Sequence, residues 1–135
     1  MVAIYVLDSF AVMALVQQEP GGERVRDLLH LARMGEHRLL MSLINFGELV
    51  YQTERRFGAE NVNRLLVRLE RSPIYFMAAN RRRVLAAAHL KANHRISYAD
   101  SFAAALAQEY GATLVTGDPE FRALAPSLAI EWLGE

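Results

Sequence analysis

Two neighbouring stretches decide the fold: Ile96-Ser97-Tyr98-Ala99-Asp100-Ser101-Phe102 and Ala112-Thr113-Leu114-Val115-Thr116-Gly117-Asp118-Pro119-Glu120-Phe121. The first opens a helix. Ser97 is its expected N-cap, and Asp100 three residues on gives the Ser-x-x-Asp pattern of a capping box. Ala103 to Ala107 then offers a small-residue face able to pack close to a sheet, and Gly111 supplies the C-terminal stop. The run from Ala112 to Thr116 is continuously apolar, as a parallel strand buried on both faces must be. Asp118 follows its C-terminal end, the edge at which open α/β sheets bind ligands.

Working outward, the same apolar grammar recurs. Strands are expected at Val2–Leu7, Arg38–Ser42, Ile74–Ala78 and Leu128–Leu133 besides Ala112–Thr116. Helices are expected over Ser9–Gln17, Glu23–Met34, Leu43–Phe57 and Glu60–Arg71, then from an Asn80 cap to Asn93, with a short turn at Pro119–Leu124. Gly58 breaks the third helix from the fourth, whose apolar stripe is Val62, Leu65, Leu66 and Leu69. Strands alternating with helices predict a three-layer α/β/α sandwich around a mostly parallel, about five-stranded sheet. The two helices between the second and third strands suggest a helical insertion on one side. At 135 residues, one domain spanning 1–135 is expected.

Composition excludes several chemistries. The chain has no cysteine, which removes disulfides, thiolate metal sites and thiol nucleophiles. No apolar run approaches the roughly 20 residues of a membrane span, and the N-terminus enters a strand directly; a soluble, cytoplasmic protein is expected, with no membrane partner. The net charge is zero but unevenly spread. Residues 1–54 carry four basic and seven acidic side chains, residues 55–95 ten against two, and residues 96–135 one against six. Fourteen of the fifteen cations are arginine, the side chain suited to bidentate phosphate contact. Such a distribution suggests an anionic partner near the middle of the chain.

Four carboxylates stand out: Asp8, Glu48, Asp100 and Asp118. Asp8 and Asp118 each lie just beyond an apolar strand and would converge if those strands are parallel neighbours. Each also has a structural role available, Asp8 and Asp118 as helix caps and Asp100 within its capping box. Glu48 has no such role: Ile44 and Tyr51 share its helix face, where an uncompensated charge is costly. Asp100 is the acid whose edge the sequence leaves open, because its helix must end where a strand begins. Four carboxylates in one pocket need a cation at neutral pH. An all-oxygen set without cysteine or paired histidine favours Mg²⁺ or Mn²⁺ over Zn²⁺.

These residues bring a family into view. Tyr-Val-Leu-Asp8-Ser, Ile-Asn-Phe-Gly-Glu48-Leu, Ser-Tyr-Ala-Asp100-Ser-Phe and Leu-Val-Thr-Gly-Asp118-Pro-Glu-Phe occur in the order of the acidic motifs of PIN-domain ribonucleases. The chain resembles in particular the toxin subunits of VapBC toxin–antitoxin systems, over essentially its whole length. That resemblance implies a divalent-metal-dependent endoribonuclease, with RNA as substrate and a cognate antitoxin and a second copy of the chain as partners. Carried over, Asp8, Glu48, Asp100 and Asp118 would hold one or two ions and Thr116 would support them. Glu120 matches a position often acidic in the family. Phe10 departs from the small residue common after the first acid, which puts the shape of the pocket in question. Asn45, one turn before Glu48, has two readings: orienting a metal-bound water, or an ordinary helix-surface residue.

The basic run Arg81-Arg82-Arg83 is either a solvated helix start or an RNA-phosphate contact; cations at a helix N-terminus oppose the dipole. His30, His37, His89 and His94 show no metal-ligand spacing. Two other functions compete. A receiver-like Mg²⁺-binding signalling module would need an acidic pair after the first strand and a late lysine, yet Asp8 stands alone and the only lysine is Lys91. A non-catalytic RNA-binding domain of the same fold would not need all four acids.

Overall fold

A computed structural model describes residues 2–134, so residues 1 and 135 of the expected domain lie outside it. The apolar runs form β1 (Ala3–Leu7), β2 (His37–Ser42), β3 (Ile74–Met77), β4 (Thr113–Thr116) and β5 (Ile130–Trp132). They pair in the order β3-β2-β1-β4-β5, and every pairing is parallel. The helices are α1 (Ser9–Val16), α2 (Gly22–Arg33), α3 (Leu43–Phe57), α4 (Ala59–Glu70), α5 (Arg81–Asn93) and α6 (Tyr98–Tyr110), with a 3₁₀ segment at Pro119–Ser127. The three-layer α/β/α sandwich is therefore present.

Strand alternation sorts the core into two slabs. Val6, Leu40 and Leu114 point towards α5 and α6, meeting Leu90, Phe102, Ala103 and Leu106. Leu7, Leu39, Met41 and Val115 point the other way, meeting Val12, Leu28, Leu49, Leu65 and Leu69 of α1 to α4. Burial on both faces is why these strands lack the polar alternation of a half-exposed sheet. The sequence suggested an inserted helix pair between β2 and β3. That pair is present as α3 and α4, which make the connection on one side of the sheet, with Leu49, Leu65 and Leu69 buried in the covering layer.

The turn Pro20-Gly21-Gly22 locks α1 against α2. Gly21 has φ +93°, and a Cβ there would come within 2.7 Å of the Leu133 Cβ. A side chain at this position meets both a backbone penalty and a clash.

The strand order reverses between β1 and β4, which makes that pair the topological switch point. The helix pair α5 and α6 then settles where Asp100 lies. Arg83, in the first turn of α5, pairs with Glu109 at 3.0 Å and donates to the Tyr110 hydroxyl in the last turn of α6. The two helices are thus antiparallel. Since α6 ends where β4 begins, its first turn lies at the carboxyl edge of the sheet, beside the ends of β1 and β4.

Candidate active site

Local rules place each acid. Asp8 ends β1 and caps α1, its Oδ1 accepting from the Ala11 N–H at 2.9 Å. Asp118 caps the 3₁₀ segment, with Pro119 at its first position, and its Oδ1 accepts from the Glu120 N–H at 3.0 Å. Ser97 caps α6 by accepting from the Asp100 N–H at 3.1 Å, and its hydroxyl also favours the charged form of the Asp100 carboxylate. Capping therefore fixes these acids without consuming them: each cap names one backbone N–H and, for Asp8 and Asp118, one carboxylate oxygen.

The cleft they line also holds Glu48 and Glu120, together with Ser9, Phe10, Met13, Glu19, Gln52, Arg56 and Ser97, in a volume of about 320 Å³. Thr116 is the buried link between the two strand ends. Its hydroxyl donates to Asp8 Oδ2 at 2.5 Å and accepts from the Asp118 N–H at 3.0 Å. Glu48, on α3, accepts a hydrogen bond from the Ser9 hydroxyl. Carboxylate oxygens of Asp100, Asp118 and Glu120 lie within 4.8 Å of one another.

Burial dominates the electrostatics. Asp8 is 1 % exposed, and desolvation pushes its carboxyl from 3.8 up to about 7. The hydrogen bonds from Thr116 and Ala11 oppose that rise, while the charges of Asp118 and Glu48 add to it. Asp100, 5 % exposed, rises to about 8, first through desolvation and then through Asp118 and Asp8; its bond with Ser97 pulls the other way. Burial and mutual repulsion thus make both carboxyls hold their protons more tightly than a free aspartate does, and positive charge placed between them would oppose this.

A divalent cation fits this donor set. Asp100 Oδ2 is buried and has no hydrogen-bond partner among the described residues, which is costly in a native structure unless something else satisfies it. The remaining donors are all carboxylate or hydroxyl oxygens, the ligand chemistry of Mg²⁺ and Mn²⁺.

Asn45 is the residue whose sequence reading changes most. It is fully buried, so the helix-surface reading fails, and its Nδ2 donates to the Ala99 carbonyl at 3.0 Å. That bond ties α3, one turn before Glu48, to the residue preceding Asp100. Asn45→Ala is expected to cost about 1–3 kcal/mol in urea denaturation, because it removes a buried hydrogen bond between α3 and α6 and leaves a cavity in its place. A variant as stable as the parent would deny the strut.

Arg81, Arg82 and Arg83 stand apart from the cleft and from one another in role. Arg83 is committed to Glu109, Tyr110 and the Ala78 carbonyl, whereas Arg81 and Arg82 are exposed. Sequence reading missed Ser9, Gln52 and Arg56. Glu48, Gln52 and Arg56 recur at four-residue spacing on α3, a signal available in the sequence once Glu48 is placed in a cleft.

A parallel α/β sheet with acids gathered at its switch point carries them where open α/β sheets bind their ligands. Residues 5–126 match the PIN domain family, and the chain belongs to it. Family membership sets aside the receiver-like alternative. No curated protein matches the chain. Among solved structures, it is similar to VapBC2 from Rickettsia felis bound to a DNA fragment from its promoter, with 21 % identity, TM-score 0.73, and coverage of 96 % of this chain and 98 % of that one. VapBC-1 from nontypeable Haemophilus influenzae gives 26 % identity, TM-score 0.69, and coverage of 96 % and 97 %. VapC20 of Mycobacterium tuberculosis, described as a Sarcin-Ricin loop cleaving toxin, gives 16 % identity, TM-score 0.73, and coverage of 94 % and 97 %. The structural relatives are thus toxin–antitoxin proteins.

Proposed function

We propose that this chain is a divalent-metal-dependent endoribonuclease and the toxin of a toxin–antitoxin pair. One observation carries the reading: Asp8, Glu48, Asp100 and Asp118, far apart in sequence, line a single cleft in which a buried Asp100 oxygen lacks a partner. Membership of the PIN family and the likeness to VapBC structures support it. Asp8, Asp100 and Asp118 would hold Mg²⁺ or Mn²⁺ together with Glu48. Lewis-acid stabilisation of a phosphate and a more acidic water are what such an ion supplies when bound.

The chain's own contribution is preorganisation. Thr116 keeps Asp8 turned towards the Asp118 loop, and Ser9 holds the Glu48 carboxylate. The raised affinities of Asp8 and Asp100 for protons mean that protons compete with a cation at both. Arg56 brings a cation to the rim of the cleft, and the exposed Arg81 and Arg82 would contact phosphate further along a strand of RNA. Leu43, Tyr51, Phe57 and Val67 expose apolar surface on α3 and α4, the face on which we place a homodimer contact. An antitoxin segment would act by covering the acidic cleft. No helix among the described residues is long and apolar enough to cross a membrane, which is compatible with a cytoplasmic site of action.

The purified chain is expected to cleave single-stranded RNA with Mg²⁺ or Mn²⁺ and to stop when a chelator is added. Cleavage that persists in chelator would overturn the metal dependence, and silence with both ions would overturn the nuclease.

A further inference from the structure

Phe10 is placed where a core residue has no reason to be. It is 43 % exposed, sits in the first turn of α1 two residues after Asp8, and lines the same cleft as the four acids. Its ring is nevertheless held. A Cβ on Gly117 would lie 2.3 Å from Phe10 Cε1 and 2.5 Å from Cζ, so the ring is seated on the bare backbone between Thr116 and Asp118. The absence of a side chain at Gly117 makes room for this contact. A large apolar ring, fixed at one edge and open to solvent over nearly half its surface, thus borders a cleft lined with carboxylates.

We propose that Phe10 is a stacking platform for one base of the single-stranded RNA lying over the cleft, next to the phosphate that the acids address. The inference rests on the nuclease reading and adds a substrate-positioning residue to it. Its physical basis is that without its ion an acidic cleft repels a polyanion, so affinity in that state must come from outside the carboxylates. Arg56 supplies one cation at the rim. Stacking supplies attraction that carries no charge and tolerates any base, because every base has a π-face. A platform fixed to the loop that carries Asp118 also sets the register between base and phosphate, which a mobile side chain would not.

Stacking on one aromatic ring corresponds to about 5- to 150-fold in affinity. The test compares the parent, Phe10→Leu and Phe10→Trp, using a short oligoribonucleotide that carries a single 2-aminopurine. Binding in chelator is read by the fluorescence of that base, which is quenched by stacking. KM and kcat are then measured in Mg²⁺. Phe10→Leu keeps apolar bulk on Gly117 and is expected to bind at least 5-fold more weakly, to lose the quenching, and to raise KM with little change in kcat, the signature of uniform binding. Phe10→Trp is expected to keep all three parental values. A structural role alone would move the melting temperature of Phe10→Leu and leave quenching and KM untouched.

Equal binding, quenching and KM for Phe10→Leu and the parent would overturn the platform. So would a Phe10→Trp variant as poor as Phe10→Leu. If the chain binds in the Phe10-dependent way but cleaves nothing, the platform stands and the nuclease reading falls. If it cleaves with KM independent of Phe10, only the platform falls. Should binding in chelator be too weak to detect, KM decides.

Discussion

Asp100→Asn is expected to lower RNA cleavage in Mg²⁺ by on the order of 10²–10³-fold, the scale of removing one preorganised electrostatic group from an active site. The substitution is nearly isosteric, and the Ser97 cap uses the Asp100 backbone N–H, so the start of α6 survives it. What disappears is a charge at a buried oxygen that has no other partner. Initial rates on a defined oligoribonucleotide, with parent and variant matched for folded fraction, give the number. A variant within tenfold of the parent would remove Asp100 from the machinery and leave it as part of a capping box.

The second large effect concerns stability without metal. Unfolded aspartate titrates near 3.9, whereas burial and neighbouring acids lift folded Asp8 to about 7 and Asp100 to about 8. Between those limits the folded state holds protons that the unfolded state has released. Stability therefore falls as pH rises, by up to about 1.4 kcal/mol per pH unit for each carboxyl. The contribution is complete below about pH 4 and is lost once pH passes about 8. In chelator, Asp100→Asn is expected to match the parent near pH 4 and to melt higher near pH 8. Mg²⁺ at 100 times its dissociation constant should return about 2.7 kcal/mol to the parent and less to the variant. Melting curves across pH decide it; a variant that melts lower than the parent at pH 8 in chelator would mean that the acids do not share a field.

The strand ends were legible because apolar runs buried on two faces leave little choice. Val2–Leu7 became Ala3–Leu7, and Leu43–Phe57 with its Gly58 stop kept its bounds. The convergence of Asp8 and Asp118 followed from treating those runs as parallel neighbours, and β1 does pair with β4. Asp100 was harder, because its edge depends on whether one helix or an antiparallel pair spans β3 to β4. The Arg83–Glu109 pairing that fixes this lies 26 residues apart in sequence and has no local signature. The helix-surface reading of Asn45 failed for a related reason. Its hydrogen-bond partner is a backbone carbonyl at residue 99, and periodicity cannot report a partner on another helix. Phe10 was recognised as out of pattern, but its seat required knowing what faces Gly117.

The order of the strands also has a meaning in time. The central strand β1 is synthesised before the other strands of the sheet, yet its partner on one side, pairing Tyr5 with Thr113, comes roughly 110 residues later. At about 5–20 residues per second, that edge waits on the order of 5–20 s for β4. Throughout that interval Asp8 lacks its Thr116 donor, and Asp118 does not yet exist. A chain still on the ribosome thus lacks a complete cleft until β4 and the Asp118 loop have been made, so no activity of this cleft precedes them.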